Sequence, residues 1–137
     1  MKRLAVTLAV ALPGFVAALL SNREPACPLA AAGDASYSGR FVGAVSMGEP
    51  RQVIALRRNG RPVNGARLCV NTAMVGMSGM GYSVEGHELA PGRYQVGIQF
   101  GMAGEYRGNL IARDRGKEVS IPVDLNVASA PSSIRLR

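Results

Sequence analysis

The sequence predicts an all-β fold: one antiparallel β-sandwich of about seven short strands, preceded by an N-terminal signal or anchor helix. Three observations lead to this prediction. Apolar and polar residues alternate over several short segments, and turns rich in glycine and proline separate them. After the first 32 residues, no segment has the periodicity of a long helix. A chain of 137 residues suits one domain with short extensions.

The predicted strands differ in how clearly the sequence marks them. Every second residue from Tyr94 to Phe100 is apolar, which is typical of a half-buried strand. Asn59-Gly60 predicts a hairpin turn, and Pro122 predicts an exposed edge in the last strand because proline has no backbone N–H to donate. We expect strands over residues 37–45, 51–58, 63–73, 82–85, 94–100, 106–113 and 119–127.

The N-terminus has the layout of a secretory signal. Lys2 and Arg3 form a basic start, and residues 4–20 are mainly apolar. Cleavage after Ala18, cleavage after Ala32 and retention as a membrane anchor all remain open. We therefore expect residues 1–32 to be a signal peptide or anchor with a linker, 33–127 a β-sandwich domain and 128–137 a flexible tail. Each alternative places the domain outside the cytoplasm, either secreted or anchored in the cytoplasmic membrane.

Cys27 and Cys69 are the two cysteines of the chain. In an exported protein they are expected to form a disulfide that ties the N-terminal segment to a strand. The alternative is that Cys69, five residues before Met74, is a free thiolate ligand for a metal. The sequence leaves both possibilities open.

Methionines are clustered in a glycine-rich segment. Met74, Met77 and Met80 recur every three residues among glycines, and Met102 lies in a second glycine-flanked segment. Thioether sulfur is a soft donor that selects Cu(I), so these four residues are candidate Cu(I) ligands, with His87 as a possible fifth. Alternatively, the methionines fill irregular gaps at the end of a hydrophobic core.

Four short motifs resemble the YtkA-like domain family, whose relatives include the FixH proteins of cytochrome oxidase assembly. They are Asn59-Gly-Arg-Pro-Val-Asn-Gly-Ala66, the methionine cluster, Leu89-Ala-Pro-Gly-Arg-Tyr94 and Phe100-Gly-Met-Ala-Gly-Glu-Tyr106. The resemblance covers roughly residues 50 to 127. It implies an extracytoplasmic immunoglobulin-like sandwich and a role in copper handling or oxidase assembly. The prolines usual in the family's methionine loop are replaced here by Val75, Gly76, Ser78 and Gly79.

Composition and motifs argue against two classes of function. The net charge is +7, but the arginines are scattered and aromatic residues are few, which does not favour nucleic-acid binding. The chain has one histidine, no nucleophile elbow and no phosphate-binding loop, so we expect no enzymatic activity. Two hypotheses remain: a Cu(I)-binding domain that passes copper to a receiving protein, or a non-catalytic module that contacts another envelope protein.

Overall fold

The computed structural model describes residues 27–129, and every regular element in this range is a β-strand. The all-β prediction is therefore confirmed for this part of the chain. Residues 27–129 contain no helix that could span a membrane. The predicted leader helix and most of the predicted tail fall outside the described residues. The strands are β1 (Tyr37–Phe41), β2 (Val45–Ser46), β3 (Gln52–Arg58), β4 (Arg61–Pro62), β5 (Arg67–Met74), β6 (Gly81–Ala90), β7 (Arg93–Val96), β8 (Gly104–Asp114) and β9 (Lys117–Ala128).

The nine strands form one continuous sheet in the order β1-β3-β7-β6-β5-β8-β9-β2, with β4 paired to β3. The sheet curls until β1 contacts β9, which gives a nearly closed barrel. The sequence predicts one antiparallel sandwich of about seven strands, whereas residues 27–129 form nine strands in one curled sheet. The reason is β6, because its first half pairs with β5 and its second half pairs with β7. One long strand thus joins what would otherwise be two sheets.

The interior is filled by the alternate residues of these strands. In β9, for example, every second residue from Val119 to Val127 is buried and the intervening residues face outward or are only partly covered. Each such side chain stabilises the fold by about 1.5–3 kcal/mol when fully buried. The largest fully buried side chains are Tyr94, Tyr106, Phe100, Ile54, Leu56, Leu68, Ile98 and Leu110.

Two local predictions about turns and edges are confirmed. Asn59 and Gly60 connect β3 to β4 and both have positive φ, as a type I′ hairpin requires. Pro122 pairs with Asn109 on one side of β9. On its other side, β9 pairs with β2 at Val127 and Ala128 and forms a bridge to Gly33 at Ser120, with nothing in residues 27–129 paired between them. Pro122 therefore faces an open stretch of the edge, where its missing N–H costs no ladder hydrogen bond.

The strand that begins at Arg93 is shorter than its sequence pattern predicts. It ends at Val96, although Ile98 and Phe100 remain buried. The side chain of Gln52 replaces the missing partner strand here. Its Nε2 donates to the Ile98 carbonyl at 2.7 Å, and its Oε1 accepts from the Ile98 N–H at 3.0 Å. An amide side chain thus satisfies the backbone groups that a ladder would otherwise pair.

A disulfide joins Cys27 to Cys69, with the two Cα atoms 5.5 Å apart. The predicted disulfide is confirmed, and the alternative of a free Cys69 thiolate is wrong. The segment after Cys27 then lies along the outer face of the sheet. Asn71 Nδ2 donates to the Pro28 carbonyl at 2.8 Å, and Ser120 N–H donates to the Ala32 carbonyl at 2.9 Å. Residues 27–32, which the sequence analysis places before the domain, are therefore part of the folded domain.

A candidate methionine site at one end of the barrel

Two methionine-bearing loops lie side by side at one end of the barrel. The first connects β5 to β6 and the second leads into β8. The Val75 N–H donates to the Glu105 carbonyl at 2.9 Å, which joins the first loop to the start of β8. A Cβ added at Gly104 would lie 2.6 Å from the Met74 Cε atom. The Met74 methyl group therefore rests directly on the backbone of the second loop, two residues after Met102.

Met74 and Met80 face each other across the neck of the first loop. The Met74 N–H donates to the Met80 carbonyl at 3.0 Å, continuing the register in which Ala73 pairs with Gly81. Residues opposite each other in an antiparallel pair project to the same side of the sheet, with Cβ atoms about 4.5–5.5 Å apart. The two half-buried methionines thus project to one side. Met77 lies at the tip of the loop between them.

Strand alternation shows which side this is. Thr72 is two residues before Met74 and is 4% exposed, and Tyr82 is two residues after Met80 and packs against the core. Because every second residue of a strand points the same way, Met74 projects toward the interior at the rim of the barrel and packs against the core, and Met80, opposite it across the neck of the loop, is half-buried. Within residues 27–129, the Thr72 hydroxyl is the one buried side-chain polar atom without a hydrogen-bond partner.

Three aromatic rings form the floor beneath this rim. The Phe100 ring centroid lies 5.2 Å from that of Tyr82 and 4.8 Å from that of Tyr106, both in edge-to-face geometry. Each such pair adds about 0.5–1.5 kcal/mol beyond its buried area. The rings also hold the second loop: the Tyr106 hydroxyl donates to the Met102 carbonyl at 2.8 Å, and Tyr82 Oη accepts from the Gly101 N–H at 3.1 Å. Burial raises the pKa of the Tyr106 hydroxyl, so it stays a hydrogen-bond donor at neutral pH.

Part of this end is open to solvent. Met77 is 43% exposed, Met102 39% and Val75 44%, whereas Met74 and Met80 are half-buried. The two glycines of the first loop, Gly76 and Gly79, have φ values of 79° and 84°. This left-handed backbone is accessible to glycine without strain, and it lets the chain reverse between Met74 and Met80. The site therefore combines methionines fixed at the rim with methionines that solvent reaches.

The structure does not bring His87 to this site. His87 lies in the second half of β6, six residues beyond the strand's first residue, Gly81. At about 3.3 Å per residue this places it roughly 20 Å along the strand. Its neighbour Glu88 accepts hydrogen bonds from the Gly65 N–H and the Tyr94 hydroxyl, at the opposite end of the barrel. The prediction that His87 completes a mixed site with the methionines is wrong, because the segment after Met80 is a long extended strand.

One methionine and the aromatic floor were not predicted from the sequence. Met47 follows β2, and its N–H donates to the Ala128 carbonyl at 2.8 Å at the end of β9. It packs against the core at the same end of the barrel, so all five methionines in residues 27–129 are at this end. The available signal was spacing: Tyr82 and Phe100 each lie two residues from a methionine, on strands whose alternate residues point inward.

The donors present at this end suit a soft metal ion. No group of three or more histidine, cysteine, aspartate or glutamate side chains capable of holding a metal occurs within residues 27–129. Both cysteines are bonded to each other. The clustered donors are thioethers, which bind Cu(I) and are poor ligands for magnesium, calcium or zinc. The residues present therefore fit Cu(I) by donor type.

Comparison with known proteins agrees with the resemblance of the motifs. The model of the YtkA-like family matches residues 33–110, which is 78 of the 137 residues. The matched region contains both methionine loops and the aromatic floor. A search of curated proteins found no match. Because the match covers more than half of the sequence, this chain belongs to the YtkA-like family.

Proposed function

We propose that this protein is an extracytoplasmic β-domain that binds Cu(I) at its methionine end and passes it to a receiving protein. The observation that supports this most is the convergence of two methionine loops on one rim. Met74 packs on the backbone next to Met102, and Met77 and Met102 are each about two-fifths exposed. Membership of the YtkA-like family and the Cys27–Cys69 disulfide are compatible with a location outside the cytoplasm.

Binding through thioethers has two chemical consequences. Methionine sulfur carries no proton at any ordinary pH, so Cu(I) binding would persist in acid, where thiolate and imidazole ligands lose metal to protons. The loop glycines leave Met77 free to move toward the rim, so the site is formed only in part before copper arrives. Ordering a loop opposes binding, which favours weak, reversible binding of the kind needed for transfer.

The test is a titration of the full chain with Cu(I) against a competing chelator. Met74, Met77 and Met80 are changed together to leucine, a swap that nearly conserves volume and costs less than about 1.5 kcal/mol per site. The proposal predicts loss of Cu(I) affinity in this variant, and a smaller loss in Met102→Leu. Equal affinity for Cu(I) in the triple variant and the parent would rule out the proposed function.

A matched control uses the opposite end of the barrel. Leu89 is 56% exposed on the second half of β6, and Leu89→Met places a single thioether there. This variant should bind Cu(I) no better than the parent. The titration uses ascorbate rather than a thiol reductant, because reducing the Cys27–Cys69 bond would create two thiolate ligands.

A second candidate function is contact with another envelope protein through the same rim. Val75, Met77 and Met102 together present exposed apolar side chains, and methionine-rich surfaces adapt to different partners. The methionine-to-leucine variants also distinguish between the two functions. Methionine-to-leucine changes preserve an apolar contact and abolish thioether coordination, so retained partner binding without copper binding supports the contact.

A further inference from the structure

We infer that the end of the barrel opposite the methionines binds a phosphate group, through three arginines that line a cavity between two hairpin turns. The cavity has a volume of about 810 Å³. This is within the range of about 300–1,000 Å³ typical of ligand sites. The arginines are Arg58, Arg61 and Arg115. This inference concerns residues remote from the copper proposal and does not depend on it.

Two tight turns place the arginines. Arg58 and Arg61 pair across the turn formed by Asn59 and Gly60. The second turn, between β8 and β9, contains Arg115 and Gly116, whose φ values are 52° and 77°. Positive φ at both central residues is the requirement of a type I′ turn, where asparagine, aspartate or glycine usually precedes the final glycine. Arg115 instead puts a guanidinium group at the tip of this turn.

No carboxylate in the described part of the chain forms an ion pair with the three guanidinium groups. Within residues 27–129, none of the three arginines forms an ion pair, whereas the neighbouring Lys117 lies 2.6 Å from Asp34. The Lys117 ammonium and the Ser36 hydroxyl hold the pKa of Asp34 well below its usual value. Asp34 is therefore ionised at neutral pH. Its carboxylate is paired with Lys117 and not with any of the three arginines.

Asp114 is the single acidic residue in the cavity lining, and it organises the site. It is 6% exposed and accepts a hydrogen bond of 2.7 Å from the Tyr37 hydroxyl. The Arg58 Cζ atom lies 5.6 Å from the centroid of the Tyr37 ring, within range of a cation–π contact. The hydrogen bond from Tyr37 to Asp114 thus fixes the position of the ring against which Arg58 packs.

The charge of the lining favours phosphate over a carboxylate. The lining has three arginines and one aspartate, and the Glu88 carboxylate is bonded to the Gly65 N–H of the lining, so positive charges still exceed negative ones; a phosphate monoester carries about −1.5 to −2 at neutral pH. Guanidinium groups bind phosphate oxygens through paired N–H donors. Asn64 adds a neutral donor: its Oδ1 accepts from the Gly92 N–H at 2.9 Å, which leaves its NH2 group as a donor on the cavity wall.

The experiment compares two sources of phosphate on the full chain. In one arm, inorganic phosphate is titrated while the backbone amide signals of the two turns are followed by NMR. In the other, binding to vesicles containing phosphatidic acid, a phosphate monoester lipid, is measured against phosphatidylcholine vesicles. The test variant is R61Q/R115Q. The control is R40Q/R51Q, which removes the same charge from exposed arginines outside the cavity.

The inference predicts that R61Q/R115Q weakens binding by about tenfold or more, since each substitution removes charge-assisted hydrogen bonds to the phosphate. The control should change binding by less than about twofold, because distant exposed charges are screened by salt. Phosphate binding alone identifies a soluble phosphate ligand, and vesicle binding alone identifies a lipid headgroup; both support the inference. Equal losses in the two variants, or binding in neither arm, would overturn it. Unchanged unfolding midpoints confirm that both variants fold.

Discussion

The Cys27–Cys69 disulfide gives a quantitative prediction for the stability of the domain. The bond closes a loop with a sequence separation of 42 residues. In the chain-entropy model, closing a loop of this length stabilises the folded state by roughly 4 kcal/mol. For a domain of about 100 residues this corresponds to a change in Tm of about 15–20 °C. The C27S/C69S variant should therefore be much less stable than the oxidised parent.

The assay is urea unfolding of the full chain, oxidised and reduced, beside C27S/C69S. Reduction should lower the free energy of unfolding of the parent to about that of the variant, and it should leave the variant unchanged. The N-terminal segment also has hydrogen bonds that do not need the disulfide, from Asn71 to the Pro28 carbonyl and from Asn109 to the Leu29 carbonyl. A loss below about 1 kcal/mol would refute the reasoning, because it would mean that the unfolded chain gains little freedom when the bond is cut.

Three further predictions follow from individual contacts. Gly104→Ala should weaken Cu(I) binding in a chelator competition, because φ is +148° there and the new Cβ would displace the Met74 methyl group; unchanged affinity would contradict this. Gly108→Ala should lower the free energy of unfolding in urea by about 3 kcal/mol, since its Cβ would overlap the Asn71 carbonyl group, and a smaller loss than about 1 kcal/mol would count against the packing. Burial raises the pKa of Tyr94 from 10.0 to about 12, so its contribution to stability is complete below pH 10 and is lost as the pH rises through 12. Between pH 10 and 12, the free energy of unfolding in urea should fall less steeply for Tyr94→Phe than for the parent. An identical fall in both proteins would refute the raised pKa of Tyr94.

The sequence was sufficient to predict the strands whose two faces differ in polarity. From Val119 to Val127, β9 alternates buried residues with exposed or partly buried ones, and this pattern is visible in the sequence. The second half of β6 has no such pattern, because His87, Glu88 and Leu89 are all exposed. That strand exists because β5 and β7 supply hydrogen-bond partners from distant parts of the chain. Pairing between distant segments overrides local preference, and this is why the sequence did not predict one continuous sheet of nine strands or the position of His87.

The candidate site was predictable in its residue types and only partly in its placement. The even spacing of Met74, Met77 and Met80 marked the first loop, and Met102 was expected to join if the fold brought the loops together. The pairing of Met74 with Tyr106 across β5 and β8 brings the two loops together. The sequence of either strand alone does not specify this register. Met47 was missed because a single methionine in a turn carries no spacing signal.

The central claim is that thioether sulfurs from two loops hold one Cu(I) ion. Cu K-edge X-ray absorption of the Cu(I)-loaded full chain tests it most directly, because it reports the atoms bound to copper. We expect a first shell of sulfur atoms that loses sulfur in Met102→Leu as well as in the Met74, Met77 and Met80 variant. A shell of nitrogen or oxygen atoms, or a sulfur shell that no methionine change alters, would contradict it.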